Sequence, residues 1–132
     1  MMSQETAAKI AREMFANDAF SQWLGIEQLE LGIGACKLRM TVRPEMLNGF
    51  GIAHGAITYA LADSALAFAC NSQGRHAVSI ETSISHTQAV QAGDSLIAIA
   101  EEEQLGHKVA FYRVRVLEEQ SGKVVGLFKG TV

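Results

Sequence analysis

Residues 54–70 read HGAITYALADSALAFAC, apolar almost all the way round a helix, with Thr58, Asp63 and Ser64 as the exceptions. A helix lying on a protein surface keeps a polar face, so a segment without one belongs in an interior. Its length, roughly 25 Å at ~1.5 Å per residue, is enough to cross a small domain. The rest of the 132-residue chain must supply the layer that covers it, and at ~100–200 residues per domain that leaves room for one unit. No repeat, low-complexity tract or Ser/Pro-rich linker interrupts the sequence, which reads as a single domain over residues 1–132.

Ahead of this segment, Ala7, Ile10, Ala11 and Met14 recur at helical spacing, while Lys9, Arg12 and Glu13 turn elsewhere. That predicts an amphipathic helix over residues 3–17. Phe20, Trp23 and Leu24 predict another turn before Gly25, and residues 26–31 and 35–42 predict two strands around Gly32-Ile33-Gly34. Pro44 forces a loop. Beyond the stop at Asn71-Ser72-Gln73-Gly74 the period changes to two: Val78, Ile80 and Ile84 predict a buried face, and Ser79, Glu81, Ser83 and Ser85 a polar one. Residues 94–101, 109–117 and 123–131 predict three further strands, with turns at Ala92-Gly93, Leu105-Gly106 and Ser121-Gly122. Sequential strands with short turns imply an antiparallel sheet, and a sheet beside one long apolar helix is an α+β domain.

Charge and cysteine usage remove several functions. Eleven Lys and Arg against fourteen Asp and Glu give a net charge of −3, so the broad positive field that drives nucleic-acid binding is missing. The start, Met1-Met2-Ser3-Gln4-Glu5, has no basic region followed by an apolar stretch, and no apolar run reaches the ~18 residues that span a bilayer. Cys36 and Cys70 have neither C-x-x-C spacing nor the density of a disulfide scaffold. A cytoplasmic protein that partners neither nucleic acid nor membrane is expected. There is no G-x-S-x-G elbow, and His54, His76, His86 and His107 lack the i, i+4 pairing of a helical zinc site, which argues against a metal. Gly49-Phe50-Gly51 opens like a dinucleotide fingerprint, but His54 stands where its third glycine belongs.

Two features on the long helix carry candidate chemistry. Asp63 is a lone carboxylate on an apolar helix, where desolvating an unpaired charge costs several kcal/mol at least. It either reaches solvent or a salt bridge, or it works as a base or nucleophile. Gly55-Ala56 stands at the helix start, where the first N–H groups lack intrahelical partners and the macrodipole supplies about half a positive charge. A carbonyl oxygen gaining negative charge fits there, although every helix has such an end and His54 fits a plain capping role. Eight residues separate Gly55 from Asp63, roughly 12 Å along the axis, too far for both to attend one acyl carbon within one chain. A two-fold dimer, with the helix start of one subunit set against the helix middle of the other, removes the difficulty.

Asn48-Gly49-Phe50-Gly51-Ile52-Ala53-His54-Gly55-Ala56, followed by Tyr59-Ala60-Leu61-Ala62-Asp63 and Ala69-Cys70-Asn71-Ser72-Gln73-Gly74, closely resembles the hotdog-fold acyl-CoA thioesterases, particularly the phenylacetate-degradation type. The resemblance extends over nearly the whole chain. It implies a curved antiparallel sheet wrapped around the central helix, a homodimer with two sites at its interface as the minimal active unit, and assembly into a homotetramer. It implies an acyl-CoA substrate, aryl-acetyl by preference, and no cofactor beyond the coenzyme A of the substrate.

By the same resemblance, the Gly55 N–H polarises the thioester carbonyl, Asn48 and His54 shape that side of the pocket, and Asp63 of the partner subunit activates water or attacks directly. Ser79 matches a position where relatives carry a hydroxyl that helps place the water; it equally fits a polar outer strand face. For coenzyme A the resemblance points to Gly106, His107 and Lys108, with Lys108 meeting phosphate; Arg113 and Arg115 could join it, but alternating on an edge or outer face they read as solvated side chains. The chain departs from the pattern at Ala56, where a second Gly is frequent, and at His86-Thr87-Gln88-Ala89, where the phenylacetate type has an aromatic residue and an Arg-Pro pair. Two other readings stand beside hydrolysis: a hotdog dehydratase or hydratase with His54 as base and Asp63 as acid, and a non-enzymatic acyl-CoA binder.

Overall fold

The computed structural model describes residues 2–132. Its helices and strands follow as α1 (Gln4–Ala16), α2 (Ala19–Leu24), β1 (Glu27–Gly32), β2 (Ala35–Thr41), α3 (Gly55–Asn71), β3 (Glu81–His86), β4 (Ser95–Leu105), β5 (Ala110–Glu118) and β6 (Val124–Thr131). Each helix starts on a side-chain cap, Ser3 for α1, Asp18 for α2 and His54 for α3, which accepts one of the first-turn N–H groups. Gly25 ends α2 in the left-handed region at φ 76°, a conformation that costs glycine little.

The strands form one antiparallel sheet in the order β1-β2-β4-β5-β6-β3. The long helix α3 packs against β2, β4 and β5, and more lightly on β6. Leu61, Leu66 and Phe68 of the helix meet Leu38, Met40, Leu96, Val114, Val116 and Phe128 of the sheet in one buried cluster. Full burial of each such side chain is worth about 1.5–3 kcal/mol. Burial alternates residue by residue along β2 and β5, as a sheet with one covered face requires. Helix and sheet approach closely at Gly130, where an added Cβ would lie 3.1 Å from Leu66 Cδ1 and closer still to its Cδ2. This α+β arrangement, one long helix on an antiparallel sheet, is the hotdog layout that the resemblance implied.

The segment after α3 departs from expectation. Val78 and Ile80 do not form a buried face: they are 82% and 69% exposed. Residues 72–80 lie outside any strand because the Asn71 side chain holds them to the helix end, accepting from the Ala77 N–H at 2.9 Å and donating to the Ala77 carbonyl at 3.0 Å. Sheet bonding starts only where the Ile80 N–H reaches the Thr131 carbonyl at 2.7 Å. From there β3 runs back along α3 to the far edge of the sheet, beside β6 rather than β2 or β4. Among the described residues one backbone edge of β3 therefore has no strand partner, whereas the opposite edge strand, β1, carries α1 against it.

Candidate active site

The first site element is the start of α3. His54 Nδ1 accepts from the Ala56 N–H at 3.0 Å, and the His54 carbonyl accepts from the Ile57 N–H at 2.9 Å. Among the described residues the Gly55 N–H has no acceptor. Gly55 lines a cavity of ≈380 Å³ together with Asn48, Thr58, His86, Gln88 and Val90. The Asn48 side-chain oxygen accepts from the Phe50 N–H at 2.9 Å and the Ile52 N–H at 3.4 Å, which fixes the turn before α3. With its oxygen engaged, the Asn48 amide group is left as a donor. An open helix-start N–H beside a second donor is an arrangement suited to an oxygen that gains negative charge. His54 is not among the residues that line this cavity; its Nδ1 caps α3.

Asp63 lies on a face of α3 that the sheet leaves uncovered. Ala56 and Asp63 are exposed, and Tyr59, Ala60 and Ala67 are half-buried, a stripe at helical spacing. The expectation of a helix enclosed on all sides is therefore not met along this stripe. Among the described residues the Asp63 carboxylate has neither a hydrogen bond nor an ion pair. Neighbouring protein still removes part of its hydration, and this pushes its pKa above the usual carboxylate value. Tyr59, midway between Gly55 and Asp63, shares a hydrogen bond between hydroxyls with Thr82 of β3.

Ser79 is exposed and precedes β3. It does not sit on an outer strand face, and among the described residues no hydrogen bond links it to Gly55. Gly106, His107 and Lys108 do come together, in the turn between β4 and β5, along a cavity of ≈270 Å³ at the C-terminal end of α3. Gly106 is required there by close approach, since a Cβ would lie 2.4 Å from the Val109 carbonyl oxygen. Arg75 and His76 line the same cavity, and Arg75 Nη1 donates to the His107 carbonyl at 3.3 Å. Arg113 and Arg115 point their guanidinium groups at Glu101, at 3.9 and 3.8 Å, while Lys108 has no carboxylate partner among the described residues.

Sequence reasoning did not assign a role to His86, Arg75 or His76. Arg75 and His76 follow the helix stop, where a basic pair carries no motif; His86 joins Gly55 only through the return of β3 along α3. Among the described residues no group of three or more His, Cys, Asp or Glu is placed to hold a metal ion, and no helix is long and apolar enough to cross a membrane.

The profile of the Thioesterase superfamily matches residues 50–125. The sequence is 38% identical over 120 residues to the acyl-coenzyme A thioesterase PaaI of Escherichia coli, covering 91% of this chain and 85% of that protein. The solved structure of PaaI, from the phenylacetic acid degradation operon of E. coli, superposes with a TM-score of 0.94 at 37% identity, covering 97% of this chain and 92% of that chain. A hypothetical thioesterase protein from Streptococcus pneumoniae, solved with coenzyme A, superposes with a TM-score of 0.84 at 25% identity, covering 90% of this chain and 92% of that chain.

Proposed function

From the premise that this chain belongs to the thioesterase superfamily, we propose that it hydrolyses an acyl-CoA thioester to the free acid and coenzyme A, at sites shared between two subunits. The observation that carries this reading is the spacing on α3: an unpaired Gly55 N–H in a cavity, and an unpaired carboxylate, Asp63, eight residues further along an uncovered stripe.

The stripe and the free edge of β3 support one dimer geometry. A two-fold axis passing near Tyr59 sets two α3 helices antiparallel, so that Gly55 of one subunit faces Asp63 of the other, four residues on either side of the axis. Because Tyr59 is bonded to Thr82, the same axis lies close to β3 and pairs that edge with its copy. Val78 and Ile80, apolar and uncovered in the protomer, gain a layer to bury against. The Lys108 cavity also comes within reach. Within a chain, Gly55 and Cys70, which lines that cavity, are about 22 Å apart along the helix; across the dimer, the partner's cavity starts seven residues past its Asp63, about 10 Å away.

In this site the thioester oxygen accepts from the Gly55 N–H, with the Asn48 amide beside it. The partner subunit's Asp63 takes a proton from water as the water oxygen bonds to the carbonyl carbon. The resulting oxyanion is held by the helix-start donor; when the C–S bond breaks, the thiolate receives the proton that Asp63 carried. Lys108, with Arg75 and His76, meets the phosphates of coenzyme A, and the acyl group is an arylacetyl, following the similarity to PaaI. Every step uses groups of the chain itself. The test is a thiol-release screen over aryl and straight-chain acyl-CoAs with wild type and Asp63→Asn. Release that depends on Asp63 supports the reading. Unchanged release in the variant, or turnover of a 3-hydroxyacyl or enoyl thioester without free thiol, overturns it.

A further inference from the structure

The side chain that lies against Gly55 is His86, the last residue of β3. A Cβ built on Gly55 would lie 3.1 Å from His86 Nε2 and 3.4 Å from Cε1, so the imidazole is seated on the face of the helix start that glycine leaves bare. Adding one Cα–Cβ bond and one N–Cα bond to 3.1 Å puts His86 Nε2 within about 6 Å of the Gly55 nitrogen. An oxygen hydrogen-bonded to both at ~2.9 Å fits between them. Both residues line the ≈380 Å³ cavity that Asn48 also borders. The His86 ring makes no hydrogen bond among the described residues, so Nε2 is free to donate.

The position is held from two directions. Pairing of His86 with Gly126 locks its backbone to β6, and Ile84, two residues earlier, is half-buried against the core. Thr87 continues the attachment: its N–H reaches the Val125 carbonyl at 3.0 Å and its hydroxyl reaches the Val124 carbonyl at 2.7 Å. The ring is thus carried on an anchored strand end rather than a free loop, which is where a donor has to sit if it is to be in place before charge develops.

We propose that His86 is a catalytic residue of this chain, donating from Nε2 to the same thioester oxygen that the Gly55 N–H binds. The proposal rests on the thioesterase reading and adds to it a residue that reaches the reacting carbonyl from the sheet side. It also gives Gly55 a second reason to lack a side chain: a Cβ there pushes the imidazole away from the oxygen.

The experiment compares steady-state kinetics of thiol release for wild type, His86→Phe and His86→Gln, with thermal melting as a control for folding. His86→Phe keeps a flat ring without the donor; His86→Gln restores an N–H at similar reach. The expected result is a kcat at least about tenfold lower in His86→Phe, toward the ~10²-fold loss typical of one oxyanion donor, with KM changed by less than about threefold. His86→Gln recovers a large part of that loss. A His86→Phe enzyme with wild-type kcat, or a His86→Gln enzyme as slow as His86→Phe, overturns the proposal while leaving the thioesterase reading in place. A wild type that releases no thiol from any acyl-CoA overturns both.

Discussion

Tyr59 of α3 and Thr82 of β3 are joined hydroxyl to hydroxyl, and Tyr59 stands four residues from both Gly55 and Asp63. The bond fixes the uncovered stripe of the helix and the unpaired edge of the sheet to one point. In the dimer proposed above, one two-fold axis there meets two otherwise independent demands: a partner for a sheet edge, and a carboxylate opposite a helix start.

Asp63 is expected to be needed for turnover and unnecessary for folding. Asp63→Asn lowers kcat by at least about 10²-fold, the scale of a positioned base. Its raised pKa moves the acid limb of the wild-type kcat/KM profile above the position an unperturbed aspartate would give, because only the ionised form accepts a proton. The sign for stability is opposite. A carboxyl whose folded pKa is raised contributes stability at low pH that is lost as pH rises through the folded value, so at pH 7 the charge is a burden on the fold. Asp63→Asn should melt no lower than wild type at pH 7, and its advantage should vanish in acid; melting curves across pH check this.

Gly55 occupies the first helical position, where proline is well tolerated, and His54 before it has φ −59° and ψ 137°, the extended region that a following proline requires. Gly55→Pro therefore removes the N–H while preserving the helix. Gly55→Ala introduces a Cβ at the same place, 3.1 Å from His86 Nε2, but keeps the N–H. Proline should cost about 10²–10³ in kcat and alanine distinctly less, with far-ultraviolet circular dichroism unchanged in both. Equal losses would mean that crowding of the cavity, not the amide, governs the rate.

Lys108 is exposed, unpaired among the described residues and beside the Arg75 and His107 groups. Lys108→Ala should raise KM for acyl-CoA several-fold at low salt with kcat little changed, and should leave the KM of an acyl-pantetheine, which lacks the nucleotide phosphates, unaffected. A matching rise for both substrates would place Lys108 elsewhere than on phosphate.

Cys36 and Cys70 are both buried, and burial pushes their thiols up to about 12 and about 11. Neither is a ready nucleophile at neutral pH. The native protein should consume no disulfide reagent in seconds at pH 8, and two equivalents once unfolded in guanidinium. Fast reaction of the folded protein would show that one thiol is open to solvent.

Much of the architecture is legible in the sequence. The apolar run of α3 and the alternation along β2 and β5 each report a covered face directly, because burial imposes the period. The pattern at Val78 and Ile80 misleads for a physical reason: the Asn71 side chain ties Ala77 to the helix end and keeps this stretch off the sheet, so among the described residues neither side chain is covered. Asp63 and Gly55 stand out because an unpaired charge and a helix start are local features. His86 does not, since its place beside Gly55 depends on β3 crossing to the far edge of the sheet, a long-range pairing with β6 that no local pattern encodes.

The claim that each pocket draws on two chains is tested most directly by complementation. Asp63→Asn and Gly55→Pro, each inactive alone, are co-expressed in equal amounts and assayed for thiol release. In a mixed dimer one site receives both defects and the other receives none, so random pairing should restore about a quarter of wild-type activity per subunit. A co-expressed preparation as inactive as its parents would mean that Gly55 and Asp63 do not serve one carbonyl across an interface, and would contradict the account.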